Sequence, residues 1–200
     1  MWNAGSFGKA RHSQEIQPAL PELKPEIDDR GVTISHAVDW NSNAGVSLLS
    51  EKRSVTIRNA DEINLVTWHS TFTAFKPTAV GQTKESGIGV RVTPHWETRL
   101  GGQIRNADGS IGEEGCFDKM SAWVNVEGQT MGGEKAGVVL RPLPETETCP
   151  WFTRDYGLQV YNPARHHPIE LAEGESFSWH LQVAAYDGDR SIADIETLLA

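Results

Sequence analysis

Long apolar runs are missing from this chain of 200 residues, and so is an excess of positive charge. No stretch approaches the roughly 18 to 20 apolar residues that a membrane-spanning helix needs, and residues 1–14 lack the apolar middle of a signal peptide. A net charge of -9 at pH 7 repels phosphate backbones, and no cluster of Lys and Arg offsets it locally. The composition therefore predicts a soluble, cytoplasmic protein with neither a nucleic-acid nor a membrane partner.

Cysteine and the common catalytic motifs are also scarce. The two cysteines, Cys116 and Cys149, are too few for a disulfide framework and are typical of reduced residues, although one bridge between them stays open. The chain has no nucleophile elbow, phosphate loop, dinucleotide fingerprint or CxxC pair. We therefore expect no organic cofactor.

Glycine (19), proline (10) and tryptophan (7) are plentiful, while only 38% of residues are hydrophobic. This balance favours strands and turns over a helical bundle. Apolar and polar residues alternate with a period of two, most clearly over residues 63–75, where both faces carry bulky side chains. The sequence predicts a mainly β protein, an antiparallel β-sandwich, with one short C-terminal helix over residues 191–199 and Ser191 as its N-cap.

Proline and glycine also set the expected organisation along the chain. Residues 1–30 contain three prolines among acidic residues and are expected to form an extended arm. Residues 31–200 are expected to form a single β-sandwich domain. Turns are predicted at residues 106–109, 127–128 and 187–188. The expected strands cover residues 32–38, 48–57, 63–75, 88–96, 122–126, 137–140, 157–161 and 177–186.

Two segments place a pair of charged residues just ahead of a glycine and a short apolar alternation, with one residue between the pair and the glycine. In the first, Lys84 and Glu85 precede Gly87; in the second, Arg154 and Asp155 precede Gly157. Charged residues at the start of a strand mark either a polar pocket or a buried structural network. We expect the two groups to converge on one shared hollow.

Around the first segment, chemistry is expected from three side chains. Lys84 and Glu85 are adjacent, and an extended backbone turns only one of them toward a given pocket. Glu85 is the stronger candidate, because a carboxylate in a pocket can bind hydroxyls or act as a general base. Its alternative role is a salt bridge that holds the glycine turn. On the expected strand over residues 88–96, Arg91, Thr93 and His95 share one face, so Arg91 can bind a carboxylate or ring hydroxyls and His95 can exchange protons. The alternative is that Arg91 pairs with an acid as scaffold and that His95 lies in solvent.

Around the second segment, Trp151, Tyr156 and Asn162 add a flat apolar face, a hydroxyl and an amide. Saccharide pockets use this mixture for ring stacking and hydroxyl recognition. For Trp151 the alternative is a place in the core. A metal site built from His166, His167 and His180 is a third alternative, but the spacing fits no established zinc pattern, so no metal is predicted.

Four ordered motifs together resemble a known family. They are Thr83-Lys84-Glu85-x-Gly87-x-Gly89-Val90-Arg91-Val92, Gly102-x-Ile104-x-Asn106-x-x-Gly109, Ala122-Trp123-Val124 and Arg154-Asp155-Tyr156-Gly157-Leu158-x-x-x-Asn162-Pro163. Over residues 31–188 the chain resembles a bacterial family of uncharacterised proteins labelled methane oxygenase PmoA-like. The resemblance implies a β-sandwich, in its larger form a supersandwich similar to that of galactose mutarotases, that binds or acts on carbohydrate. It does not imply methane oxidation, because the membrane methane monooxygenase subunit is a bundle of apolar helices.

The chain departs from that family pattern in two places. Members usually open with a longer N-terminal part that contains a His-Pro-His-His-Arg-Gly motif, which this chain lacks, and Gln82 stands where the family tends to have Asp. We therefore expect a truncated version, or a start assigned late, whose residues 1–14 are the end of the missing part.

These observations lead to one main hypothesis. We expect a carbohydrate-directed β-sandwich with a small-molecule or oligosaccharide ligand, in which Glu85 and Asp155 supply acid/base chemistry. The residues expected to bind the substrate are Lys84, Arg91, His95, Trp151, Arg154, Tyr156 and Asn162. The alternative is a non-catalytic binding or structural sandwich, or a truncated homologue without activity, in which the same charges form a buried network.

Overall fold

The computed structural model describes residues 14–15, 24–29, 31–60, 63–84 and 87–199, and strands dominate this part of the chain. In chain order the strands are β1 (Gln14–Glu15), β2 (Glu26–Asp28), β3 (Gly31–Asn41), β4 (Ser47–Ala60), β5 (Ile63–Ala74), β6 (Thr78–Val80), β7 (Ile88–Arg91), β8 (Gln103–Asn106), β9 (Val124–Gln129), β10 (Lys135–Pro142), β11 (Trp151–Thr153), β12 (Leu158–Tyr161), β13 (Ile169–Leu171) and β14 (Ser176–Asp187). The helices of the same residues are α1 (Gly112–Cys116) and α2 (Ile192–Leu199), with 3-10 turns at Pro94–Trp96 and Thr98–Leu100.

The first layer is one large antiparallel sheet. Its strand order is β1-β3-β4-β5-β14-β10-β9-β8, and β2 pairs with β3 beside β1. The long strands β4, β5 and β14 form its centre, and β5 pairs with β14 without interruption from Ile63 opposite Tyr186 to Thr73 opposite Ser176. The described pieces of the expected N-terminal arm, β1 and β2, therefore lie on the large sheet as short strands beside β3.

The second layer is narrower and consists of two small sheets, β11-β12-β7 and β13-β6. Alternate residues of the β11-β12-β7 sheet point toward the large sheet, where Trp151 and Tyr161 pack against Val126, Leu140 and Leu181. Side chains from two facing layers thus interdigitate in one core, which is the arrangement of a β-sandwich. The predicted mainly β, antiparallel sandwich with a short C-terminal helix is confirmed.

Helix α2 covers part of the opposite side of the large sheet, which we call the polar face. Its Ile195 and Leu199 pack against Val139 and Ala184 of the sheet. Ser191 caps the helix as predicted, because its Oγ accepts the Asp194 N–H at 3.2 Å while Asp194 Oδ2 accepts the Ser191 N–H at 2.8 Å. Beyond the helix, the polar face presents mostly Ser, Thr, His and Gln side chains from β4, β5 and β14.

Two local predictions are wrong. The strand expected over residues 88–96 ends at Arg91, because Pro94 has no N–H to pair and begins a 3-10 turn, so Arg91 and His95 do not share a strand face. The turn expected at residues 127–128 is a continuation of β9, and the chain reverses instead at residues 130–133. Gly128 has a packing role there, since a Cβ on it would lie 2.6 Å from the Trp96 ring.

Within the described residues, no helix combines the length and the apolar character that crossing a membrane requires.

The two cysteines are buried, free thiols. Burial raises the pKa of Cys116 to about 11, helped by the negative charges of Asp108 and Asp155, and burial raises the pKa of Cys149 to about 12. The thiolate is the reactive form of cysteine, so both side chains are protonated and unreactive at neutral pH.

At pH 8 we expect iodoacetamide to modify Cys116 on the order of 100-fold, and Cys149 on the order of 1,000-fold, more slowly in the native protein than in urea. Each unit by which the pKa rises lowers the thiolate fraction about tenfold, and the pKa rises by about two units for Cys116 and about three for Cys149. Stability should also fall as the pH rises from 9 toward 11, since unfolded thiols with the ordinary pKa of 9.0 lose protons that the folded ones keep. Mass spectrometry measures the labelling and urea titration the stability. Equal labelling of native and unfolded protein would contradict the buried positions, and absence of labelling in urea without reductant would reveal a bridge.

Candidate functional site

A cleft with a volume of about 470 Å³ opens between the large sheet and strand β7. We call it the aromatic cleft. Its lining residues on the large sheet are Trp40, Leu49, Glu51, Arg53, Val66, Trp68, Ser70, Phe72, Phe177, Trp179, Leu181 and Val183, and the residues of the second layer are Val80 and Gly87 to Val90. Most of these side chains are aromatic or aliphatic, and only Glu51, Arg53 and Ser70 bring charge or a hydroxyl.

The cleft exists because the second layer is narrower than the first. Strand β7 is the last strand of its small sheet, while the large sheet continues beneath it to β4 and β3. Gly89 lets β7 approach β12 closely, since a Cβ on it would lie 2.2 Å from the carbonyl oxygen of Gln159. Part of the apolar face of β4 and β5 therefore borders the cleft beside the glycine-rich rim of β7.

The carboxylate of Glu51 lies at the base of the cleft with only 1% of the residue exposed. Its Oε1 accepts from Arg53 Nε at 2.8 Å and from Ser70 Oγ at 2.5 Å, and its Oε2 accepts from Arg53 Nη2 at 2.7 Å and from Trp40 Nε1 at 3.0 Å. Four donors satisfy both oxygens, as a buried carboxylate requires. Glu51 is thus suited to holding its neighbours and poorly placed to accept a proton from a ligand.

This network fixes two of the aromatic walls. Glu51 holds the Trp40 indole, and the Trp68 indole donates to Ser70 Oγ at 2.8 Å. The Arg53 guanidinium lies 5.0 Å from the centre of the Trp68 ring. The rings are oriented before any ligand arrives, which reduces the entropy lost on binding.

A third tryptophan contributes an unused donor. Trp179 lines the cleft, is 9% exposed and meets the rings of Phe72 and Phe177 edge to face at 5.4 and 5.1 Å. Its indole N–H has no hydrogen-bond acceptor within the described part of the chain. Buried indole N–H groups usually have a partner. The geometry therefore suits a ligand with one flat apolar face and oxygen acceptors along its edge.

Three of the residues predicted from the sequence do meet. Arg91 and Arg154 lie over the ring of Tyr156, with their guanidinium carbons 5.1 and 5.4 Å from its centre. Arg154 forms an ion pair with Glu113, Nε to Oε1 at 3.2 Å, although the N–H does not point along that contact, so no hydrogen bond forms. We call these residues, with Asp155, the arginine cluster.

Asp155 has a structural contact in this cluster. Its Oδ1 accepts the Glu113 N–H at 3.1 Å, and its own N–H donates to Glu113 Oε2 at 2.8 Å. This reciprocal pair ties the β11–β12 turn to the start of α1.

Lys84 and Asn162 lie at the other end of the small sheet. Strands β7 and β12 are antiparallel, with Arg91 opposite Leu158 and Ile88 opposite Tyr161, so the start of one strand lies beside the end of the other. Asn162 is buried and donates to the Thr83 carbonyl at 2.6 Å, while Lys84 is exposed. Glu85 lies outside the described residues. The structure therefore does not bring Lys84 and Arg154 together at one hollow.

Trp151 and His95 are also apart from a shared pocket. Trp151 is fully buried, donates to the Ser121 carbonyl at 2.9 Å and packs against Tyr161 in the core, which favours its structural alternative. His95 is exposed on its 3-10 turn beside a shallow cavity of about 370 Å³.

The histidines of the metal alternative make other contacts. His166 contacts Asp118 at 3.2 Å, and His180 lies on the polar face of the large sheet beside His69. Across residues 31–60, 63–84 and 87–199, no three His, Cys, Asp or Glu side chains are grouped to hold a metal ion.

Sequence reasoning missed the aromatic cleft, although a signal was present. Glu51 and Arg53 alternate in β4 with Leu49 and Val55, so two charges occupy the apolar face of a strand. Charges on that face of a central strand predict a buried ion pair.

A family model matches the chain over residues 1–200, and its description is a family of unknown function, DUF6807. No curated protein matches the sequence.

We expect Glu51→Gln to lower the free energy of unfolding by about 3 kcal/mol, because it leaves the largely buried Arg53 without its counter-charge. Glu170→Gln makes the same chemical change at an exposed residue of β13 and should stay within about 0.5 kcal/mol of wild type. Urea titration measures both variants.

A double variant tests whether the ion pair itself is needed for stability. Glu51→Leu combined with Arg53→Met should restore most of the loss, since apolar replacement of a buried pair is often close to neutral. Unchanged stability in Glu51→Gln would show that this carboxylate is not part of a buried network.

Proposed function

The chain belongs to DUF6807, a family of unknown function matched over residues 1–200, and we propose that it binds carbohydrate, with a sugar ring held in the aromatic cleft. The observation that carries the proposal is the pair of tryptophan walls, Trp40 and Trp68, whose indoles are fixed by Glu51 and Ser70. The C–H face of a sugar ring packs on such flat surfaces, and its hydroxyl groups need donors and acceptors at the edge.

The polar groups of the cleft match that second need. Arg53 lies at the base of the cleft with its side chain 18% exposed. The indole N–H of Trp179 has no hydrogen-bond acceptor among the described residues. The volume of about 470 Å³ lies within the range of about 300–1,000 Å³ typical of small-molecule sites. The resemblance to PmoA-like proteins, which implies carbohydrate, supports the same class of ligand.

The cleft supports binding more strongly than catalysis. Glu51 supplies the only carboxylate among the described lining residues, and four donor groups saturate its oxygens. Acid/base chemistry by Glu85 and Asp155 stays a hypothesis. Of these two residues, Asp155 lies in the arginine cluster and not among the residues that line the cleft.

We expect at least one neutral sugar in a panel of mono- and oligosaccharides to bind the wild-type protein, as measured by calorimetry and tryptophan fluorescence. Trp179→Phe should weaken that binding about three- to tenfold, because the ring stays and only the donor to a sugar oxygen is lost. Phe75→Leu changes an exposed aromatic residue outside the cleft and should leave the affinity unchanged.

Other outcomes separate the alternatives. Loss of sugar binding in Arg154→Ala, with Trp179→Phe unaffected, would move the site to the arginine cluster and reject the cleft. A wild-type protein indifferent to every sugar, with variants that lose only stability, would support a purely structural sandwich.

A further inference from the structure

A cation that forms no salt bridge with any described residue lies on the polar face of the large sheet, on the side opposite the aromatic cleft. Arg141 of β10 stands opposite Gln182 of β14, and its Nε donates to Gln182 Oε1 at 2.9 Å. Its two terminal amino groups have no hydrogen-bond partner among the residues that the structure describes. Half-buried guanidinium groups are normally paired with a carboxylate.

Space is available directly beside this guanidinium. Arg141 and Thr146 line an open cavity of about 590 Å³, which continues past residues 120–122 and 142–144. Burial is the main influence on Arg141 and lowers its pKa, while the charge of Glu196 on α2 acts in the opposite direction. The Glu196 carboxylate already accepts the Trp123 indole N–H at 2.7 Å.

A histidine pair adjoins the same position. Gln182 and His180 are two residues apart on β14 and face the same side, and His180 stands opposite His69 with ring centres 4.6 Å apart. Thr146 links His180 to the cavity, since its Oγ1 accepts the His180 N–H at 2.7 Å. His180 is 9% exposed, and its Nδ1 has no partner in the described part of the chain.

From this geometry we propose a second binding site, distinct from the aromatic cleft, in which Arg141 binds the carboxylate of a small polyhydroxy acid beside Gln182, Thr146 and the His69–His180 pair. The planar fork of the guanidinium presents its two terminal amino groups to two carboxylate oxygens. Hydroxyl groups of the acid find hydrogen-bonding partners in the Ser and Thr side chains of the polar face.

The charge around the site selects a single carboxylate over a phosphate. Glu196 of α2 and Glu145 of the loop after β10 both act on this region, and the whole chain carries -9. A ligand with one negative charge neutralises Arg141, whereas a doubly charged ligand meets repulsion from the two glutamates.

The neighbouring histidines add a pH dependence. Burial, and then the proximity of His69, lower the pKa of His180, so its ring is neutral at pH 7 and takes up a proton only in acid. His69 and Glu145 are the titratable groups whose charges act on His180, and Arg141 stands opposite Gln182, two residues along β14. A protonated imidazole beside the bound carboxylate strengthens the attraction, so the affinity should rise as the pH falls from 8 to 5.5.

Calorimetry with gluconate as the probe tests the site, with sorbitol as the matched polyol that lacks the carboxylate. We expect gluconate to bind, sorbitol not to bind, and Arg141→Gln to weaken gluconate at least tenfold. Arg58→Gln makes the same change at an exposed position of β4 and should have no effect. His180→Gln should flatten the increase in affinity toward pH 5.5.

Two further variants, Arg141→Lys and Trp179→Phe, separate a loss of gluconate binding from a loss of folding and from an effect of the aromatic cleft. If Arg141→Gln is unstable, Arg141→Lys keeps the charge and removes the fork, so it should fold and still lose affinity. Trp179→Phe should bind gluconate like the wild type, which separates this site from the aromatic cleft. No binding of gluconate, equal binding of sorbitol, or full affinity in a folded Arg141 variant would overturn the proposal.

Discussion

The carboxylate of Glu51 is the constraint on which the open half of this sandwich depends. A charge buried to 1% exposure is tolerated only when donors surround it, and these donors come from three strands: Trp40 of β3, Arg53 of β4 and Ser70 of β5. The requirement to satisfy one acid therefore fixes the spacing and the side-chain orientations of the sheet at the base of the aromatic cleft. The same bonds that stabilise the charge also hold the tryptophan walls, so stability and binding geometry share one set of contacts.

Strand direction is the second constraint, and it divides the predicted site. The segments that contain β7 and β12 have the same order of charged, glycine and apolar residues and therefore look equivalent in the sequence. The two strands are antiparallel neighbours in the sheet, so one segment runs in the reverse direction to the other. Arg91 consequently meets Arg154 and Tyr156, whereas Lys84 is left at the far end beside Asn162. The sequence pattern identifies Arg91, Arg154 and Tyr156 as candidates, but it does not indicate which candidates lie at the same end of the small sheet.

Much of the architecture follows from local signals, and the exceptions have identifiable causes. The period-two alternation of β5 and β14, the N-cap at Ser191 and the turn at residues 106–109 are decided by nearby residues, and the sequence predicted them. Gly128 looks like a turn residue, but the structure needs a glycine there because the Trp96 ring packs against it. The two residues are more than thirty positions apart in the sequence, so no local pattern shows this contact. The aromatic cleft depends on how far the second layer extends, which is a property of the assembled sheets, and Glu85 lies outside the described residues.

Strand β7 borders the aromatic cleft largely with main chain, because Gly87 and Gly89 have no side chains to place there. Within the described residues its backbone pairs with β12 on one side alone, and peptide groups of the other side face outward. Peptide dipoles are the same whatever residue carries them. A ligand bound at this rim would thus be recognised by main-chain groups that every substitution except proline leaves in place, while the side chains of the opposite wall alone would distinguish one ligand from another.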